Sequence, residues 1–241
     1  MPTHHPSLLV ILPALNEAGN IAKTISAIRQ QLPFADIVVI DDGSDDNTRN
    51  EASDAGAIVL HMPYNVGIGA AVQTGFRFAA RYQYDFVMRN DGDGQHHPAA
   101  LQQMFARIQD NTVDMVIGSR FLQNGDYGTS LPRRAGITIL SRLLSFITKQ
   151  AITDPTSGYA AFNRDAILLF AQLYPHDYPE PEAIVLLHRS GLQLCEIPVT
   201  MQAREYGKSS ITPMRSAYYM VKVILAILIN LLRRAPVIQQ S

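Results

Sequence analysis

The chain has 241 residues, 47% of them hydrophobic, with 20 Lys and Arg against 21 Asp and Glu. That supplies a sizeable core for one folded unit and excludes the biased compositions of disordered or collagen-like chains, and no repeat of solenoid period is present. The charge is divided: residues 1–126 hold 8 Lys/Arg against 14 Asp/Glu, and residues 127–241 hold 12 against 7. An acidic first half suits a metal and a basic second half suits phosphates or an anionic surface. No Lys/Arg run interleaved with aromatics supports a nucleic-acid partner.

The first half alternates strand and helix. Residues 8–12 form a β-rich run ended by Pro13, and Ile21, Ile25 and Ile28 recur at helical spacing before Pro33. Residues 37–40 predict a second strand, 57–61 a third, 67–82 a helix, 85–88 a fourth strand, 98–108 a helix and 113–117 a fifth strand. Strand, helix, strand in succession implies a mainly parallel α/β sheet of Rossmann-like kind, covered on both faces. Further on, residues 133–150 predict an amphipathic basic helix with Leu140, Leu143, Leu144 and Ile147 on one face. Residues 192–199 form an apolar strand-like run containing Cys195, the single cysteine, read as buried. Residues 213–234 predict a longer helix. One cysteine permits no intrachain disulfide, and the first residues lack the basic-then-apolar pattern of a signal peptide, so a reducing cytoplasm is expected.

Polar or Gly-rich clusters follow each of the five strands: Pro13-Ala14-Leu15-Asn16-Glu17, Asp41 to Thr48, Asn65-Val66-Gly67-Ile68-Gly69, Asp91-Gly92-Asp93-Gly94-Gln95 and Gly118-Ser119-Arg120. Five such clusters at one rim of one sheet predict a nucleotide site at the carboxyl ends of the strands. Period-2 geometry brings Asp91 and Asp93 out together there, and two hard oxygen ligands suit Mg²⁺ or Mn²⁺ on a diphosphate. Other nucleotide folds fit less well. Gly67-x-Gly69 follows the third strand rather than the first. Gly207-Lys208-Ser209 has Gln202 where a Walker A loop begins with glycine, and no G-x-S-x-G elbow occurs. His96 and His97 lack the spaced partners of a zinc site.

With Asp154-Pro155-Thr156-Ser157-Gly158-Tyr159 added, the ordered motif set resembles family 2 glycosyltransferases over residues 8–210. The branch it is most similar to is that of dolichol-phosphate mannosyltransferase and the bacterial polyprenyl-phosphate glycosyltransferases. The resemblance implies a GT-A fold, a nucleotide-diphospho-sugar donor, a divalent metal and inversion at the anomeric carbon. It further implies that Pro13, Ala14, Asn16, Glu17, Asp42 and Gly67 hold the nucleotide, and that Asp91, Asp93 and Gln95 serve metal and diphosphate. Arg120 would add a bidentate positive charge beside the leaving group, a structural ion pair being the competing reading.

A polyprenyl phosphate acceptor is already largely ionised near neutral pH and calls for cations, whereas a sugar hydroxyl needs a general base. Arg133, Arg134, Arg204 and Lys208 flank the segments that the resemblance places around the acceptor. For a soluble hydroxyl acceptor the base would be Asp154; a nucleotide-sugar-binding subunit without activity is a third reading. The chain contains no tryptophan, and so lacks the Gln-x-x-Arg-Trp motif of processive synthases. The expected organisation is a catalytic domain over residues 1–210 and, over residues 211–241, a C-terminal helix in the membrane interface. Lys222 interrupts that helix and leaves only the ten uncharged residues 223–232 behind it, too short for a span of ~20 residues. Its apolar surface is expected from Val223, Ile224, Ile227, Leu228, Leu231 and Leu232. The predicted protein is peripheral at the inner face of the cell membrane, with a homo-oligomer or a membrane partner subunit left open. Residues 203–211 are expected to form a lid over the donor.

Overall fold

The computed structural model describes residues 7–91, 99–122, 131–200 and 213–232. Within them the order is β1 (Leu8–Ala14), α1 (Ile21–Gln31), β2 (Asp36–Asp41), α2 (Thr48–Asp54), β3 (Ile58–His61), α3 (Ile68–Arg81), β4 (Phe86–Arg89), α4 (Ala99–Gln109) and β5 (Met115–Ser119). There follow α5 (Leu131–Thr148), β6 (Ala160–Phe162), α6 (Arg164–Gln172), α7 (Pro179–Arg189), β7 (Leu194–Pro198) and α8 (Pro213–Leu232). Each strand and helix predicted from periodicity is present, with ends shifted by a residue or two.

The strands form one seven-stranded sheet in the order β3-β2-β1-β4-β6-β5-β7. All pairs are parallel except those of β6, which runs antiparallel to both β4 and β5. Alternation along β1 feeds two cores. Leu9 and Ile11 pack on one face with side chains of α3, α5, α6, α7 and α8, while Leu8, Val10 and Leu12 pack on the other with α1, α2 and α4. Burial on both faces explains why these strands are apolar throughout instead of alternating with polar residues. Pro13 is tolerated near the end of central strand β1 because its side of the ladder faces β4, whose pairing stops at Ile11 opposite Arg89.

The C-terminal helix belongs to this unit. Val223 and Ile227 are fully buried in the same core as β1 and α3, so the expected division at residue 210 does not separate α8 from the catalytic body. Arg189 of α7 donates to the Asn230 backbone carbonyl, and the Asn230 side chain donates to Glu182 of α7 at 2.5 Å. This packing also corrects the expected apolar surface of α8. Val223 and Ile227 face inward and Ile224 is half-buried, whereas Leu228, Leu231 and Leu232 are exposed as expected and Val221, Leu225 and Ile229 join them in the outward stripe. Cys195 is likewise only half-buried, because β7 is an edge strand.

Candidate active site

The loops after β1 and β2 are locked together by side chains that cap backbone groups. Four successive N–H groups, those of Asn16, Glu17, Ala18 and Gly19, donate to Ser44 Oγ (3.0 Å), Thr48 Oγ1 (2.8 Å), Asp46 Oδ2 (3.1 Å) and Glu51 Oε2 (2.7 Å). Asn16 holds a left-handed backbone (φ 55), and its Oδ1 accepts from the Asp45 N–H at 3.0 Å. Burial alone would raise the Asp46 carboxyl, but hydrogen bonds from Thr48 and Ala18 outweigh it and hold the group below the usual carboxylate range.

The acidic cluster that looks uniform in sequence divides its labour. Asp41 is buried, takes the Ser44 N–H at 3.0 Å, and pairs with His61 Nδ1 at 2.8 Å. Asp42 accepts from the N–H groups of Val66 (2.8 Å) and Gly67 (3.0 Å), which fixes the loop after β3 against the end of β2. Gly67 adopts φ 91, a conformation only glycine takes without strain. Gly69 answers to packing: a Cβ there would lie 2.4 Å from the Pro175 carbonyl oxygen.

Between these loops opens a cleft of about 470 Å³ lined by Pro13, Ala14, Leu15, Glu17, Asp42, Asn65, Gly67, Ile68, Ala71, Arg89 and Asp91. Six predicted site residues, Pro13, Ala14, Glu17, Asp42, Gly67 and Asp91, thus line one cleft. Asn16 is exposed and does not line the cleft; its contacts brace the neighbouring loop. Asp93, Gln95, Arg204 and Lys208 lie outside the described residues, as does the expected lid over 203–211. Arg134 is exposed on the first turns of α5; Arg133 belongs to the same helix, with its side chain outside the description.

Next to the cleft, antiparallel β6 brings the segment before it to the rim. Arg120 grips Asp154 with Nε on Oδ2 at 2.6 Å and Nη2 on Oδ1 at 2.7 Å, and its backbone N–H adds a bond at 3.0 Å. Nη2 also donates to Thr156 Oγ1 at 2.8 Å. Asp154 is 0% exposed. The Arg120 guanidinium loses solvent by burial, yet Asp154 more than compensates and raises its pKa. Glu196 of β7 supports the same segment by accepting from Thr153 N and Asp154 N, and Thr153 Oγ1 lies 2.5 Å from both Glu196 Oε2 and Ser119 Oγ. The ion-pair reading of Arg120 is therefore realised in the geometry, and a carboxylate engaged on both oxygens is poorly placed to take a proton from a hydroxyl.

Sequence reasoning passed over Arg89, Tyr174 and Glu180. Arg89, at the end of β4, is 4% exposed and donates to Glu180 Oε1 at 2.8 Å and to Tyr174 Oη at 3.4 Å. Its Nη2 lies 3.6 Å from Asp91 Oδ1. A single signal was available: an arginine ending an otherwise apolar strand beside a candidate metal ligand requires a buried counter-charge.

A seven-stranded, mostly parallel sheet with a nucleotide-sized cleft at its carboxyl rim is the arrangement of a nucleotide-dependent α/β enzyme. Residues 9–169 match the family model described as Glycosyl transferase family 2, and the chain belongs to that family. It is 29% identical to the undecaprenyl-phosphate mannosyltransferase of Micrococcus luteus, over 85% of this chain and 87% of that one. It is also 29% identical to the polyprenol monophosphomannose synthase of Mycolicibacterium smegmatis, over 89% of this chain and 84% of the other. Among solved structures it resembles glucosyl-3-phosphoglycerate synthase of Mycobacterium tuberculosis in complex with Mn²⁺, uridine diphosphate and glucosyl-3-phosphoglycerate. The TM-score is 0.68 at 20% identity, covering 93% of this chain and 79% of that one, and the shared fold is GT-A. The protein is a glycosyltransferase.

Proposed function

We propose that the protein moves a sugar from a nucleotide-diphospho-sugar to a polyprenyl phosphate at the membrane surface, inverting the anomeric carbon. The observation from the site that carries the choice of acceptor is Asp154. The carboxylate that a hydroxyl acceptor would use as base is fully buried and engaged on both oxygens by Arg120. A phosphate acceptor needs no base, because its second pKa is ~6. The names of the two curated relatives point the same way.

The cleft receives the nucleoside against Pro13, Ala14 and Glu17, with the Asp42-anchored loop as the opposite wall. Asp91 suits a divalent cation by chemistry and place: a hard oxygen donor, 36% exposed, at the rim of the cleft. Asp93 and Gln95 are the further donors proposed. Among the described residues no group of three or more His, Cys, Asp or Glu is arranged for a metal. A bound Mg²⁺ or Mn²⁺ would supply charge stabilisation for the departing nucleoside diphosphate. Arg120, oriented by Asp154 and Thr156, adds a fixed cation next to the cleft, and Arg133, Arg134, Arg204 and Lys208 supply positive charge for the acceptor phosphate.

No helix among the described residues is long and apolar enough to cross a membrane. The outer faces of α5 and α8 nevertheless expose Ile139, Phe146 (84% exposed), Val221, Leu225, Leu228, Ile229 and Leu232 (89%). Neither helix contains an acidic residue, and Arg142, Lys149 and Lys222 are exposed alongside these side chains. An apolar stripe flanked only by cations suits peripheral docking on an anionic leaflet. The test is transfer of labelled sugar from UDP- and GDP-sugars to undecaprenyl phosphate in the presence of Mn²⁺. Label entering the organic phase is the expected result. Label entering only soluble acceptors overturns the lipid reading, and nucleotide binding without any transfer identifies a non-catalytic subunit.

A further inference from the structure

Arg89 is an unusual residue to bury beneath a metal-binding rim. At 4% exposure it needs compensation, and it finds that in an acid 91 positions away, Glu180, through a 2.8 Å hydrogen bond. The same Nη2 atom lies 3.6 Å from Asp91 Oδ1, and its Nε has no hydrogen-bond partner. The space is made for this cluster. A Cβ on Gly158 would come within 2.9 Å of Arg89 Nη2 and 3.2 Å of Asp91 Oδ1. Glu180 is itself placed in the first turn of α7, behind Pro179, where the helix dipole favours a negative charge. Tyr174 packs its hydroxyl against Nη1, and burial holds that phenol protonated by pushing its pKa up to about 12.

A guanidinium so close to Asp91 would compete with a divalent cation for the same carboxylate. We infer that Arg89 and Glu180 form a charge-balanced positioning pair, in which Glu180 draws the guanidinium away from Asp91 and so leaves that carboxylate available to the metal. The inference rests on Asp91 being a metal ligand and deepens that reading. With Glu180 neutralised, the buried cation has Asp91 as its nearest acid. A charge at this range shifts a carboxylate's proton affinity by about 1–3 pKa units, a factor of ten to a thousand, and cation affinity responds to the same potential. With Arg89 neutralised instead, Glu180 becomes a second acid near the site. The two single changes therefore push metal affinity in opposite directions, and the double neutral change cancels them. A pair serving only as structural cement has no such signature.

The experiment is Mn²⁺ binding to the full chain, followed by the electron paramagnetic resonance signal of the free ion, with circular dichroism recorded on every variant. Glu180→Gln should raise the Kd for Mn²⁺ by about tenfold or more. Glu180→Asp, which retains the charge, should stay nearer wild type, Arg89→Met should bind more tightly, and the double variant Arg89→Met/Glu180→Gln should return to within about threefold of wild type. If Glu180→Gln fails to fold, the opposite shift in Arg89→Met and the return in the double variant decide the matter. Equal weakening by Glu180→Gln, Arg89→Met and their combination overturns the inference. Asp91→Asn separates the two layers. If it abolishes Mn²⁺ binding while the pair variants leave affinity unchanged, the pair assignment fails and the metal site stands; if it binds Mn²⁺ like wild type, the metal assignment itself fails.

Discussion

The two halves of the rim are built by different means. From β1 to β4 the site is a set of loops whose backbone groups are tied to one another by short polar side chains, as where Ser44, Asp46, Thr48 and Glu51 cap four consecutive N–H groups of residues 16–19. From the end of β4 onward the site rests on buried ion pairs, Arg89 of β4 with Glu180 of α7 and Arg120 with Asp154, whose partners come from distant parts of the chain. The outer faces of the helices there are left apolar and basic. Capped loops give a rigid wall that suits the proposed nucleotide, whereas ion pairs beneath an open surface would hold fixed charge without closing the approach of the proposed lipid acceptor. The halves should therefore respond differently to mutation.

The largest effect is expected on the second half. Asp154→Ala leaves Arg120 buried without its carboxylate and should cost about 3–5 kcal/mol in urea unfolding. A midpoint equal to that of the wild type would show that the pair contributes no rigidity. On the first half, Asp91→Ala should lower transfer by about 10²- to 10³-fold, the size of effect seen when one stabilising group for developing charge is removed. Its stability should change by less than ~1 kcal/mol, because the side chain is partly exposed. Steady-state transfer with saturating Mn²⁺, paired with thermal melting, separates these outcomes, and near wild-type transfer would remove Asp91 from the site.

Within α8 the comparison sharpens to two faces of one helix. Ile227→Ala should destabilise by about 2–5 kcal/mol through the cavity it opens. The combination Val221→Ser, Leu225→Ser and Leu228→Ser should lower binding to anionic vesicles while leaving the unfolding midpoint close to wild type. Sedimentation with vesicles at low and high salt checks this; undiminished binding of the triple variant would place membrane contact elsewhere. The smallest effect is electrostatic. Burial raises the Glu196 carboxyl above its unfolded value near 4.5, against the lowering effect of its Thr153 and Asp154 hydrogen bonds. The folded state then holds the proton to higher pH than the unfolded chain. This contribution is fully present below the unfolded value and is lost as pH rises through the folded one. Urea titrations across that window should show a shallower decline for Glu196→Gln than for wild type; parallel slopes would mean that Glu196 does not titrate there.

The same contrast explains how much could be read from the chain alone. Helical spacing of Ile21, Ile25 and Ile28 and the apolar runs of β1, β2 and β4 are local signals, and the clusters that follow the strands mark the cleft because parallel strands deliver their ends to one rim. β6 is only Ala160-Ala161-Phe162, too short to show alternation, and its reversed direction carries no local mark. The pairing of Arg89 with Glu180 exists only once the topology sets α7 beside β4. The inward face of α8 was misjudged for a different reason. A helix apolar on nearly every side gives periodicity nothing to resolve, and packing against α5 and α7 selects Val223 and Ile227.

The separation of Arg89 from Glu180 also has a temporal side. On the ribosome the arginine emerges 91 residues ahead of its acid, which at about 5–20 residues per second is a wait of roughly 5–18 s. During that interval β1 to β4 are already made, yet β4 ends in a cation with no neutralising partner from α7. Burial of Arg89 beside its neutralising acid therefore waits on a helix made well after the strand that carries it.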